Sequence, residues 1–144
     1  MRALALTFLT WLEIGRVKRE AFGGLDKLEG FHVKIDKQMK NDVVILRLSG
    51  DLTGGPDAVL FHDMIKQIIA DGNKKVLADL GKVMIVNSTG LGILIAALTS
   101  MKNAGGILKL LNVSKRVESL LMVTKLILIF DVFENENEAL ASFS

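Results

Sequence analysis

The chain contains no cysteine, which removes disulfide scaffolds, thiolate metal sites and thiol nucleophiles together and is compatible with a cytoplasmic location. Tyrosine is also absent, tryptophan occurs once and the seven phenylalanines are dispersed, so the sequence shows no cluster of aromatics of the kind that stacks single-stranded nucleic acid. The 18 basic and 16 acidic residues leave a net charge of +2 with no long run of either sign, so the basic stripe of a duplex binder is lacking too and no direct nucleic-acid partner is expected. No apolar stretch approaches the ~20 residues of a membrane-spanning helix. Only His32 and His62 remain as imidazole bases or ligands. Both lie far in sequence from any nucleophile and read as structural or surface histidines. Asp51, Asp57 and Asp79 show no spacing suited to a divalent ion, so neither a metal nor a cofactor is expected.

Half of the 144 residues are apolar and a quarter are charged, enough for one globular domain with a real core. Residues 3–12 form an apolar run that resembles a short signal h-region, but Glu13, Arg16, Lys18 and Arg19 interrupt it before a convincing cleavage site. Leu4, Phe8 and Leu12 fall at helical spacing. An N-terminal extension over residues 1–30, helical in character, is therefore expected to precede a domain over residues 31–144.

Residues 31–35 alternate apolar and polar, Lys40-Asn41-Asp42 has turn chemistry, and residues 43–48 form a β-branched and leucine run. Together they read as a hairpin. Pro56, the only proline, stands at the first position of a helix, with Asp57 in its first turn and Leu60, Phe61, Met64, Ile65, Ile68 and Ile69 on one face. Strands are expected over residues 75–80, 107–111 and 127–133. Helices are expected after the segment 81–86 (Leu91, Leu94, Ile95, Leu98 and Met101 inward), from Ser114 to about Thr124 (Val117, Leu120 and Leu121 inward), and over residues 134–143. This alternation requires crossover connections, hence an α/β domain with a mixed, mainly parallel sheet flanked by helices. Leu121, Met122, Ile127 and Ile129 exceed the apolar needs of one small sheet, and a homodimer using them or the N-terminal segment would cover the surplus. Lys115 and Arg116 oppose the dipole of the helix they begin by a few tenths of a kcal/mol, and either lie in solvent or face an acidic partner.

The segment Val86-Asn87-Ser88-Thr89-Gly90-Leu91-Gly92 places two hydroxyls where a strand becomes a helix. The first amides of a helix have no internal partner and sit at the positive end of its dipole, so an oxyanion on Ser88 or Thr89 meets donors already in place. A nucleophile elbow is excluded, because no glycine stands two residues before Ser88 and no base is evident. A phosphate loop or dinucleotide fingerprint is excluded by the glycine spacing. Gly90 and Gly92 instead suit close approach of a strand or room for a partner's backbone. On residue chemistry alone, Ser88, Thr89 or Asn87 caps the helix, worth about 1 kcal/mol.

Residues 77–92, Leu-Ala-Asp-Leu-Gly-Lys-Val-Met-Ile-Val-Asn-Ser-Thr-Gly-Leu-Gly, resemble the signature of STAS domains, in particular bacterial anti-sigma factor antagonists. Leu48-Ser49-Gly50-Asp51-Leu52 is similar to the family's Gly-Glu-Leu turn, and Gly105-Gly106 precedes the fourth strand as it does there. The resemblance implies a non-enzymatic regulatory module that binds a kinase-type anti-sigma factor, is phosphorylated by it, and is reset by a PP2C-type phosphatase. It places the phosphoacceptor on Ser88 and the partner-binding surface on Asn87, Thr89, Gly90, Leu91, Gly92 and Asp51. Asn87 stands where the family usually has aspartate, an exchange that preserves helix capping and removes a carboxylate from beside the phosphoacceptor. The alternative within the family is a constitutively docking STAS subunit of a lipid- or anion-transport assembly or a stress-signalling complex.

Overall fold

Asn41 and Asp42 both adopt the left-handed backbone region, with φ of 52° and 62°, the geometry of a two-residue hairpin turn that short polar side chains tolerate. The turn joins β1 (Val33–Lys40) to β2 (Val43–Leu52) as antiparallel neighbours, Lys40 opposite Val43 and Val33 opposite Gly50. The structure is a computed structural model that describes residues 33–144. The helix expected over residues 1–30, Phe31 and His32 lie outside the described residues.

After β2 come α1 (Pro56–Ala70), β3 (Lys75–Val86), α2 (Ser88–Asn103), β4 (Ile107–Leu111), α3 (Lys115–Val123), a 3₁₀ turn (Leu126–Leu128), β5 (Val132–Phe133) and α4 (Glu136–Ala141). The strands lie in the order β1-β2-β3-β4-β5, with β2 to β5 mutually parallel. Pro56 occupies the start of α1 as expected, and Phe61, Met64, Ile65 and Ile68 form its buried stripe. Strand alternation divides the core into two layers. Val43, Ile45, Leu77 and Leu111 share one face with Ala139, Leu140 and Phe143 at the C-terminal helix. Val44, Leu46, Val76, Ala78, Leu108 and Leu110, all buried, alternate to the other face, and α1 and α2, the crossovers between parallel strands, pack side by side.

Three expectations are corrected. The strand expected over residues 75–80 runs on to Val86. Its register against β2 shifts twice, so that Arg47 opposes Asp79, Ser49 opposes Lys82 and Asp51 opposes Ile85. The Gly81 amide donates to Asp79 Oδ1 at 2.9 Å, which takes up the first extra residue in a local turn, as a β-bulge does. Within residues 127–133, only Val132 and Phe133 form a strand and pair with β4. Lys125 enters the left-handed region at φ 63° and starts the 3₁₀ turn instead. That turn commits the amides of Ile129 and Phe130 to the Leu126 carbonyl, so the chain first joins the sheet at Asp131, whose carbonyl accepts from the Leu110 amide at 2.9 Å. Leu121 is fully buried, as its inward place on the helix predicts, and so does not belong to the expected apolar surplus, whereas Met122, Val123, Leu128 and Ile129 are exposed, Leu128 to 80%.

Charged side chains fasten α4 to its face of the sheet. Arg47 on β2 donates through Nη1 to Asp79 Oδ2 at 2.8 Å and through Nε to Gln38 Oε1 at 3.0 Å, and its Nη2 lies 2.7 Å from Glu136 Oε1 in the first turn of α4. The hydrogen bond to Glu136, joined by the one to Asp79, raises the guanidinium pKa against the opposing effect of burial. One planar cation thus ties three strands to a helix. At the other end of α4, Lys109 is buried and donates to the carbonyl and Oγ of Ser142 at 3.0 and 2.9 Å. Its Nζ lies 4.7 Å from the centre of the Phe143 ring, a cation placed where the helix dipole is negative.

Arg47→Met is expected to lower unfolding free energy by about 1–2 kcal/mol, since the pairs it loses are partly screened by solvent. Lys109→Met keeps the aliphatic stem but orphans the Ser142 carbonyl, and is expected to cost about 1–3 kcal/mol. Urea denaturation of each variant measures both losses as shifts in midpoint at constant slope.

Candidate functional site

Two adjacent parallel strands end together at one edge of the sheet, with Leu52 of β2 opposite Val86 of β3. The carboxyl ends of parallel strands are where α/β sheets present binding surfaces. Asn87 is the cap of α2, in extended conformation at φ −94° and ψ −174°. Its Oδ1 accepts from the Gly90 amide at 2.8 Å, and its Nδ2 donates to the Thr53 carbonyl at 3.2 Å. Of the three side chains that sequence chemistry offered as caps, the amide takes the role. Ser88 and Thr89 are both exposed, and neither hydroxyl is hydrogen-bonded to another described residue.

The two glycines of the motif have separate purposes. A Cβ on Gly90 would lie 2.0 Å from the Leu52 carbonyl oxygen and 3.0 Å from Val86 Cγ1, so the first turn of α2 rests directly on the end of β2 and admits only glycine. Around Gly92 there is nothing within 4 Å of such a Cβ. Its glycine has no packing reason, although a mid-helix glycine costs about 1 kcal/mol relative to alanine. Leu91 is buried and, with Gly90, turns into the domain, whereas Asn87, Ser88, Thr89 and Gly92 face outward. Asp51 is half-buried one residue before Leu52, opposite Ile85.

The turn from Leu52 to Pro56 completes this edge. Gly54 has φ +103°, and a Cβ there would lie 2.5 Å from Thr89 Cγ2, so the turn lies against the second hydroxyl residue. Beside it runs a groove of about 400 Å³ between α1 and α2, lined by Ala58, Val59 and His62 on one wall and Thr89, Gly92 and Ala96 on the other. Its lining is apolar apart from His62 and Thr89, and no acidic residue stands in the first turn of α2. Thr53, Gly54 and the α1 wall were missed from sequence. Residues 53–57 signalled only the start of a helix, and no local pattern links Thr53 to Asn87 across 34 positions. His62, set aside as a base or ligand, is exposed in this groove. Among the described residues no group of histidines and carboxylates gathers in a way that would hold a metal ion, and no helix is long and apolar enough to cross a membrane.

Comparison with known proteins agrees with the geometry. A protein of Thermotoga neapolitana, described as a homologue of the anti-sigma factor antagonist TM1081, is 32% identical over 100 residues, which cover 69% of this chain and 88% of its own. The crystal structure of TM1081 from Thermotoga maritima, also described as an anti-sigma factor antagonist, matches with a TM-score of 0.68 at 26% identity, over 76% of this chain and 93% of the other. A sulfate transporter family protein of Wolinella succinogenes has the same fold, with a TM-score of 0.58 at 22% identity, over 74% and 88% of the two chains. The fold alone therefore does not separate these two kinds of protein. The family model for the STAS domain matches residues 34–139, a span that takes in the sheet, the capped hydroxyl pair and the groove, and the chain belongs to the STAS domain family.

Proposed function

We propose that this STAS domain is an anti-sigma factor antagonist, a non-enzymatic module that docks a kinase-type anti-sigma factor on the N-terminal turn of α2 and the groove beside it. Phosphorylation of Ser88 by that kinase releases the complex, and a PP2C-type phosphatase restores the binding form. The observation that carries this reading is the unengaged hydroxyl of Ser88. Asn87 supplies the helix cap, so the serine is left exposed at the first helical position with no structural bond to lose. The amides of Ser88 and Thr89 come before the first intrahelical donor, Leu91 N to Asn87 O, and no acidic residue in that turn repels an oxyanion. A phosphoryl group there adds about −1.5 to −2 charges at the mouth of a groove lined by no carboxylate, lysine or arginine. A partner fitted to that neutral surface would have to desolvate the phosphate to stay bound. The similarity to TM1081 and its homologue supports the antagonist reading over the transporter one.

Gly92 adds to it, because an open helical glycine beside the phosphoacceptor leaves room for a partner's backbone. Incubation of the full chain with its cognate anti-sigma kinase and ATP is expected to add one phosphoryl group by intact mass and none to Ser88→Ala; phosphate retained by that variant would remove Ser88 from the role. Ser88→Asp is expected to weaken the complex about tenfold or more, equivalent to about 1.4 kcal/mol. Copurification of a transporter subunit in place of a kinase would reverse the choice between the two family readings. The glycines are expected to respond in opposite directions to alanine in urea denaturation. Gly90→Ala loses several kcal/mol, because the helix must move off Leu52, whereas Gly92→Ala gains up to about 1 kcal/mol and weakens docking.

A further inference from the structure

We infer that Asn87 is a positioning residue for the docking surface, acting through its side-chain N–H bond to Thr53; the inference rests on the docking reading above. The orientation of the amide follows from its neighbours. Its oxygen is committed to the Gly90 amide at 2.8 Å, so the atom 3.2 Å from the Thr53 carbonyl is the nitrogen. A single side chain therefore does two jobs, and only the amide can do both. A carboxylate would cap α2 equally well, but it accepts only, and would set oxygen against oxygen at Thr53.

The tie matters because of what it holds. Thr53 leads into Gly54 and Gly55, both in the positive-φ region at +103° and +70°, where the chain has most freedom to lose. Pro56 follows at once as the first residue of α1, and the next turns of that helix supply one wall of the groove. The other wall belongs to α2, whose cap is Asn87. The bond from Asn87 to Thr53 thus joins the two walls at their mouth, assisted by the contact of Gly54 with Thr89. With it in place, the turn is ordered before a partner arrives, and less conformational entropy is lost on docking.

Two variants that retain a capping oxygen, Asn87→Asp and Asn87→Ser, test this in the full chain. The aspartate lacks the donor, and the serine is too short to reach both partners. In ¹⁵N relaxation measurements, the order parameters of Gly54 and Gly55 are expected to fall in both variants from a rigid value near ~0.85 towards ~0.6. Hydrogen exchange at the Gly90 amide, which reports the cap, should stay slow. Affinity for the anti-sigma factor is expected to drop about fivefold in each, the effect of losing one ordering contact. Wild-type order parameters in either variant overturn the inference, as does unchanged affinity with a loosened turn. The relaxation measurement uses the isolated chain and decides the tie by itself. Failure of the wild-type protein to bind any anti-sigma factor would instead count against the docking reading.

Discussion

The first turn of α2 lies on the carbonyl of Leu52 with only the hydrogen of Gly90 between them, and the arrangement of the whole candidate site depends on that approach. Because β2 and β3 pair to their last residues, Leu52 against Val86, the two segments that leave them begin side by side. A side chain at position 90 would push the helix outward by the width of a methyl group or more. Asn87 would then no longer reach Thr53, and the groove wall formed by Thr89, Gly92 and Ala96 would move with it. A backbone contact of this kind tolerates almost no adjustment, since neither the strand end nor the helix turn has a flexible side chain at the contact that could give way. It thereby transmits the position of the sheet to a surface several residues beyond it.

Capping chemistry determines what that surface offers. A helix start in this position needs an acceptor for its early amides, and any of three neighbouring side chains could have supplied one. With Asn87 in that role, the hydroxyls of Ser88 and Thr89 are relieved of structural duty and presented outward. The opposite face of the sheet is organised by different forces. There Arg47 and Lys109 hold α4 by charge-assisted hydrogen bonds, and the ionic groups lie away from the neutral groove between α1 and α2. The lining of that groove includes no carboxylate, lysine or arginine. Under the proposed function, a phosphate added at Ser88 would be the charge that changes this neutral lining.

Much of this was legible from local chemistry. The hairpin followed from an Asn-Asp pair between alternating runs, α1 from Pro56 and its apolar stripe, and the site from hydroxyls between a strand run and a helix run. The length of the C-terminal strand was not, because residues 127–133 have strand composition while the left-handed Lys125 before them, a conformation its residue type does not announce, diverts their first amides into a turn. Nor was the full length of β3, whose first bulge depends on Asp79 capturing the amide of Gly81. Gly90 and Gly92 look alike in sequence, two positions apart in one helix. They differ only because one faces Leu52 and the other faces open space.

The sequence by itself determined the family, the order of most elements and the place where phosphate chemistry would be favourable, since each rests on backbone preferences and side chains within a few residues of one another. Tertiary structure alone decided which residue caps the helix, which glycine is obligatory and which residues line the groove. It also brought Thr53 to Asn87 and Arg47 to Glu136. Those outcomes depend on distances between residues remote in the chain, and such distances exist only once the sheet has set its register.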